Sequence, residues 1–226
     1  MTEPAHHAAG HRARLRQRLL DDGEALLDHE LVEYLLALAI PRRDTKPLAK
    51  ALLAEFGGIG GVLTADARAL ARVPGMGETS AAAVKVAHAA AIRLLRAEVA
   101  QRPVLSNWQA LLDYLRAEMA WHPIERVRCL HLNTRNMLVR DELMHEGSID
   151  EAPVYVREVV RRAMDLGSAA IILVHNHPSG DPTPSRADIQ ITRAIADAAK
   201  PFNIALHDHI IIGRDGHTSL RSQGLI

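Results

Sequence analysis

Ile171-Ile172-Leu173-Val174-His175-Asn176-His177-Pro178-Ser179-Gly180-Asp181-Pro182-Thr183-Pro184-Ser185-Arg186-Ala187-Asp188 decides the reading of this chain. It begins as a short apolar run bounded by turn residues, the pattern of a buried strand. The strand ends in two histidines separated by one residue. Side chains two apart on a strand share a face, so both imidazoles can turn toward one point. The loop that follows is stiffened by Pro178, Pro182 and Pro184. Ser185 has the character of an N-cap, which puts Asp188 at the third position of the next helix. Such a loop returns a carboxylate to the end of the histidine strand. His175, His177 and Asp188 thus make a candidate zinc site, with a fourth position left for water. That is the donor set of a catalytic rather than a structural centre.

Taken singly, these residues carry less. A lone His-X-His pair is usually a surface or capping feature, and an aspartate in a first turn favours the helix dipole. Their coincidence with a buried strand and a proline-stiffened loop is what points to a metal. Other chemistries fail on the residues present. A zinc deaminase needs a downstream Pro-Cys-X-X-Cys pair, and the chain has a single cysteine, Cys129. A binuclear His-X-His-X-Asp-His site needs aspartate where Ser179 stands, and no helical His-Glu-X-X-His occurs. One cysteine also excludes an internal disulfide and suits a reducing compartment.

Outward from this stretch, short β-rich runs are expected at 127–132, 137–143, 169–174 and 210–213. Helical runs at 107–119, 155–166 and 186–202 lie among them. Strands alternating with helices mean an α/β domain with helices packed on a sheet. The first hundred residues read differently, as helices over about 30–40, 45–56 and 79–99. Gln101-Arg102-Pro103 breaks the last of these. The expected domains are therefore 1–100, all α, and 104–226, α/β.

Lys plus Arg equals Asp plus Glu at 27 each, so no global charge points to a polyanionic partner. The polar start, Met1 to Gly10, lacks the apolar core of a signal peptide, and the apolar runs are too short to cross a bilayer. A soluble, cytoplasmic protein is expected.

His-X-His-X10-Asp with serine three residues before the aspartate resembles the signature of JAMM (MPN-plus) metalloproteases. The longer string His-Asn-His-Pro-Ser-Gly-Asp-Pro-Thr-Pro-Ser, with Leu206-His207-Asp208-His209-Ile210-Ile211-Ile212-Gly213 downstream, is similar to the bacterial RadC-like proteins in particular. The resemblance implies a mixed, cytidine-deaminase-like sheet flanked by helices, preceded by a small helix-hairpin-helix-like domain. It implies Zn2+ on His175, His177 and Asp188, and a glutamate that handles protons. Glu125, just before the strand at 127–132, matches that glutamate, while Glu158 is a rival acid at a helix start. The resemblance further gives Ser185 a hydrogen bond to the oxyanion, in competition with its capping role. The function so implied is hydrolysis of a peptide or isopeptide bond, with water at the zinc as nucleophile and the glutamate as general base.

Two features lie outside that reading. His207-Asp208-His209 repeats the His-X-His spacing but precedes an apolar run, which favours structural hydrogen bonding over a second metal. Val73-Pro74-Gly75-Met76-Gly77 resembles the hairpin of a helix-hairpin-helix element, whose backbone amides can meet phosphates, with Arg68, Arg72 and Lys85 nearby. The alternative is therefore a DNA-associated accessory protein with a structural or vestigial metal. The peptide or protein substrate is not named by the sequence.

Overall fold

The computed structural model describes residues 4–147 and 154–226. The chain divides into two compact units, residues 1–91 and 92–226. The first is helical: α1 (Pro4–Asp21), α2 (Asp28–Ala39), α3 (Lys46–Phe56), α4 (Ile59–Thr64), α5 (Ala67–Arg72) and the start of α6 (Glu78–Gln101). With few aromatics to fill it, its core is aliphatic, and Val32, Leu36, Leu52, Val62, Leu70 and Val84 are almost wholly buried. None of the described helices is long and apolar enough to cross a membrane.

The second unit is α/β. After the end of α6 come α7 (Trp108–Met119), β1 (Arg126–Leu132), β2 (Leu138–Glu146), α8 (Val156–Asp165), β3 (Ala170–Asn176), α9 (Arg186–Ala199), β4 (Ala205–Gly213) and β5 (Gly216–Ser219). The strands form one mixed sheet in the order β2-β1-β3-β4-β5, in which only the β3–β4 pairing is parallel. The α9 crossover between those two strands supplies the length that a parallel connection needs.

Two apolar layers cover this sheet. Ile172, Val174, Ile210 and Ile212 pack with Leu111, Leu115 and Met119 of α7. Ile171, Leu173, Val127 and Cys129 pack with Val159 and Ala163 of α8 and Ile195 of α9. Odd and even residues of β3 thus enter different layers, and all seven residues of the strand are buried. A run apolar on both faces is what a covered central strand requires. The alternation assigns His175 to the layer of Leu173, the α8 and α9 side.

The expected helices and the first three expected strands appear with ends shifted by a few residues. Two differences matter. β4 starts at Ala205, five residues earlier than the apolar run suggested, and takes in His207, Asp208 and His209. β5 was not expected at all. Its residues Gly216-His217-Thr218-Ser219 carry almost no strand pattern and are held by pairing with Ile210 to Gly213.

Candidate metal centre

Ser185 is the N-cap of α9, and a reciprocal capping box joins it to Asp188. The Ser185 amide donates to Asp188 Oδ2 at 2.7 Å, and Asp188 N–H donates to Ser185 Oγ at 3.1 Å. The cap holds the aspartate side chain toward the start of its own helix, beside the end of β3. Asp188, Thr192, Ile195 and Ala199 form the buried stripe of α9 at spacings of four and three. The polar end of that stripe meets the histidines and the apolar end meets the sheet.

The returning loop is fixed at its middle. Gly180 has φ of 100°, a conformation disfavoured for side-chain-bearing residues, and its N–H donates to the His177 carbonyl at 3.0 Å. Gly213, the last residue of β4, lies so close that a Cβ there would sit 2.1 Å from the Gly180 carbonyl oxygen. Arg214 Nη2 donates to the Ser179 carbonyl at 2.8 Å.

His175 Nε2 lies 2.9 Å from His177 Nε2 and 3.3 Å from Asp188 Oδ1, while His177 Nε2 is 3.8 Å from Asp188 Oδ2. Donors bound to one tetrahedral zinc at ~2.0–2.1 Å stand roughly 3.3 Å apart, so this spacing is close to that of a ligand set. The far nitrogens are also engaged. His177 Nδ1 is 2.8 Å from the Asp181 carbonyl oxygen, which can only accept, so Nδ1 carries the proton and Nε2 is bare. His175 Nδ1 is 2.8 Å from His209 Nε2, and His209 Nδ1 is 2.5 Å from Thr192 Oγ1. Two imidazole nitrogens and a carboxylate oxygen converging on one point are a donor set fit for a divalent cation. Among the described residues this is the group of three or more histidines, cysteines or carboxylates that could hold one. Cys129 is buried, and burial pushes its thiol pKa up, which keeps it protonated.

Asn176, between the two histidines, is fully buried and ties the end of β3 to the segment that leads into β1. Its Oδ1 accepts from Arg126 N–H at 2.9 Å, and its Nδ2 donates to the carbonyls of Ile124 and His122 at 3.2 and 3.3 Å. Those bonds bracket Glu125 on both sides. Glu125 is half-buried, and Val127, two residues on, is the register partner of His175. The rival acid, Glu158, is also half-buried, in the first turn of α8, and accepts from Arg161 Nε at 3.0 Å. Ser185 Oγ donates to Asp188 Oδ2 at 2.6 Å, so its hydroxyl belongs to the cap in this state.

The second His-X-His pair does not gather a metal set. His207 Nε2 contacts Asn136 Oδ1 at 2.7 Å, and Asp208 accepts from Ser219 Oγ at 2.5 Å and from Arg221 N–H at 3.0 Å. Hydrogen bonding, as expected, is their role. The sequence did not show that His209 would meet a candidate ligand. The available signals were a histidine inside an otherwise apolar strand and a threonine one turn after Asp188. In the first unit, Lys85 Nζ donates to the carbonyls of Leu63 and Ala65, both at 3.0 Å. That cation is turned to the end of α4.

Burial lowers the pKa of five histidines, His122, His131, His175, His207 and His209. It pushes the His175 pKa down to about 4, partly offset by Asp188, and puts His209 well below the usual range. A histidine whose folded pKa lies below its unfolded value near 6.5 takes up its proton in the unfolded chain first. The metal-free protein is thus expected to lose stability as pH falls from about 6.5 toward 4. Chemical melts with chelator present at stepped pH check this, and a flat stability across that window contradicts it.

With this geometry in place, comparison with known families gives a match. The family model of the RadC-like JAB domain matches residues 105–225, just over half of the chain and nearly all of the second unit.

Proposed function

The chain belongs to the RadC-like JAB-domain family, and on that premise we propose that it is a zinc-dependent hydrolase of peptide or isopeptide bonds. The observation that carries the proposal is the convergence of His175 Nε2, His177 Nε2 and Asp188 at the end of β3. The carboxyl end of a parallel strand pair, beside a helix start, is where open α/β sheets place their ligands.

His175, His177 and Asp188 hold the ion. When bound, zinc acidifies water and polarises the scissile carbonyl. The chain's own residues do the rest. Glu125 takes a proton from the attacking water and gives it to the departing amine, which needs one group to act as base and then as acid. Ser185 Oγ, bound to Asp188 in the resting protein, turns its proton to the oxygen that gains charge. The Ser185 backbone N–H keeps Asp188 oriented meanwhile. Arg214 and Gly213 keep the loop from drifting, and so keep His177 in reach of His175.

The test is a survey of peptides and isopeptide-linked substrates before and after zinc removal. Turnover that disappears with chelator and returns with added zinc is the expected result. A zinc-loaded protein that cleaves none of them would sink the proposal. The DNA-associated alternative gains little from the hairpin, since Lys85 is engaged by carbonyls and Arg43 Nη1 donates to Gly75 O at 3.3 Å. Cleavage of no substrate, together with salt-sensitive DNA binding through 75–85, would favour that alternative.

A further inference from the structure

Two buried side chains, Thr192 and His209, link the backbone of one candidate ligand to the buried ring of another. Thr192 and His175 are fully buried, and His209 is 2% exposed. The Thr192 hydroxyl donates to the Asp188 carbonyl oxygen, one helical turn back. That oxygen can only accept, so the single hydroxyl proton is committed to it. Thr192 Oγ1 therefore faces His209 Nδ1, 2.5 Å away, with a lone pair, and Nδ1 must carry the proton. His209 Nε2 is then an acceptor, and His175 Nδ1, 2.8 Å away, must donate to it. A proton on His175 Nδ1 leaves Nε2 bare, on the side of His177 and Asp188.

We propose that Thr192 and His209 are positioning residues that lock His175 in the Nδ1–H tautomer, so that its Nε2 lone pair is permanently presented to the metal. The reverse polarity would place a proton on His175 Nε2, between the nitrogen and any cation. Free histidine has no such constraint, because either nitrogen can carry the proton. On the apolar side nothing competes for these protons, whereas Asp188 Oδ1 at 3.3 Å and His177 Nε2 at 2.9 Å are the acceptors that would draw a proton to His175 Nε2 in the metal-free chain, against the relay. The space beside the two rings is lined by Val127, Val154, Leu173, Ile191 and Ile195, whose side chains neither donate nor accept. The relay also couples two ligands: the helix turn that fixes the Asp188 carboxylate fixes, through Thr192, the tautomer of His175. Partners of this kind orient ligating histidines and raise their basicity.

The inference rests on the metal reading above, and its test separates the two. Long-range 1H–15N spectra of the full, metal-free chain at neutral pH report which ring nitrogen carries each proton. Nδ1–H on both His175 and His209 is expected, and Nε2–H on either overturns the relay. Competition with a zinc chelator then measures affinity. Thr192→Val is expected to weaken zinc binding by about 10–100-fold, the usual effect of removing such a partner. Thr192→Ser keeps the hydroxyl and is expected to stay near wild type. Equal affinity for wild type and Thr192→Val, or equal weakening by both variants, overturns the relay. Circular dichroism of both variants identifies a folding defect, and the wild-type tautomers decide the matter if Thr192→Val does not fold. A wild-type chain that shows the expected tautomers but takes up no zinc leaves the relay standing and removes the hydrolase proposal.

Discussion

Glu125→Gln is expected to lower hydrolysis by about 10²–10⁴-fold while the protein still holds its metal, the range a positioned general base contributes. The substitution keeps size and hydrogen bonding but cannot take a proton from water. Its selectivity follows from where Glu125 sits. The residue is not among the converging donors, yet its backbone is held against them. Asn176 grips Arg126 N–H and the Ile124 carbonyl, and the Glu125 carbonyl accepts from Gly147 N–H at 2.9 Å. The backbone that carries the carboxylate is therefore fixed to the same strand end that carries the ligands. Rates and zinc content of the variant, measured side by side, check this. Full activity in Glu125→Gln would exclude it as the base, and Glu158→Gln would be the next variant to assay.

The second large effect concerns the metal itself. His177→Ala is expected to reduce bound zinc from about one ion per chain to nearly none, leaving two donors where a site with an open position uses three. His177 is the best ligand for this experiment because it contributes least to the fold. It follows the last residue of β3 and its side chain is only partly covered, 19% exposed against 0% for His175 and 2% for Asp188. His175→Ala would open a cavity between helix and sheet. Asp188→Ala would also remove the carboxylate half of the α9 capping box, the acceptor of the Ser185 N–H and hydroxyl. Metal analysis together with a thermal melt separates the outcomes. A folded His177→Ala protein that retains stoichiometric zinc would place the ion elsewhere.

The candidate metal-binding stretch was legible because each part of it is local. A strand period turns two histidines to one face, Ser185 caps the helix that follows, and the cap fixes Asp188 at the third position. These are rules about neighbours in the chain, and the structure has Ser185 as the N-cap of α9 where the sequence implied it. β4 was legible only over Ile210 to Gly213. His207, Asp208 and His209 look too polar for a buried strand until their partners are known. Asp208 meets Ser219 and Arg221, 11 and 13 residues on across the β4–β5 turn, and His207 meets Asn136, 71 residues back. β5 has no apolar alternation and is ordered by the strand beside it.

From the sequence alone came the candidate ligands, the α/β character of the second unit and the helical character of the first. Hydrophobic period, capping chemistry and loop stiffness are written into consecutive residues. Tertiary structure decided what surrounds the ligands. Asn176 holds a segment 50 residues away, and His175 meets His209 34 residues downstream. Such contacts depend on strand register and on which stripe of α9 turns inward, and both are set by packing two apolar layers against one sheet. Local sequence patterns specify a period and a cap, but they do not specify which distant residue will lie opposite.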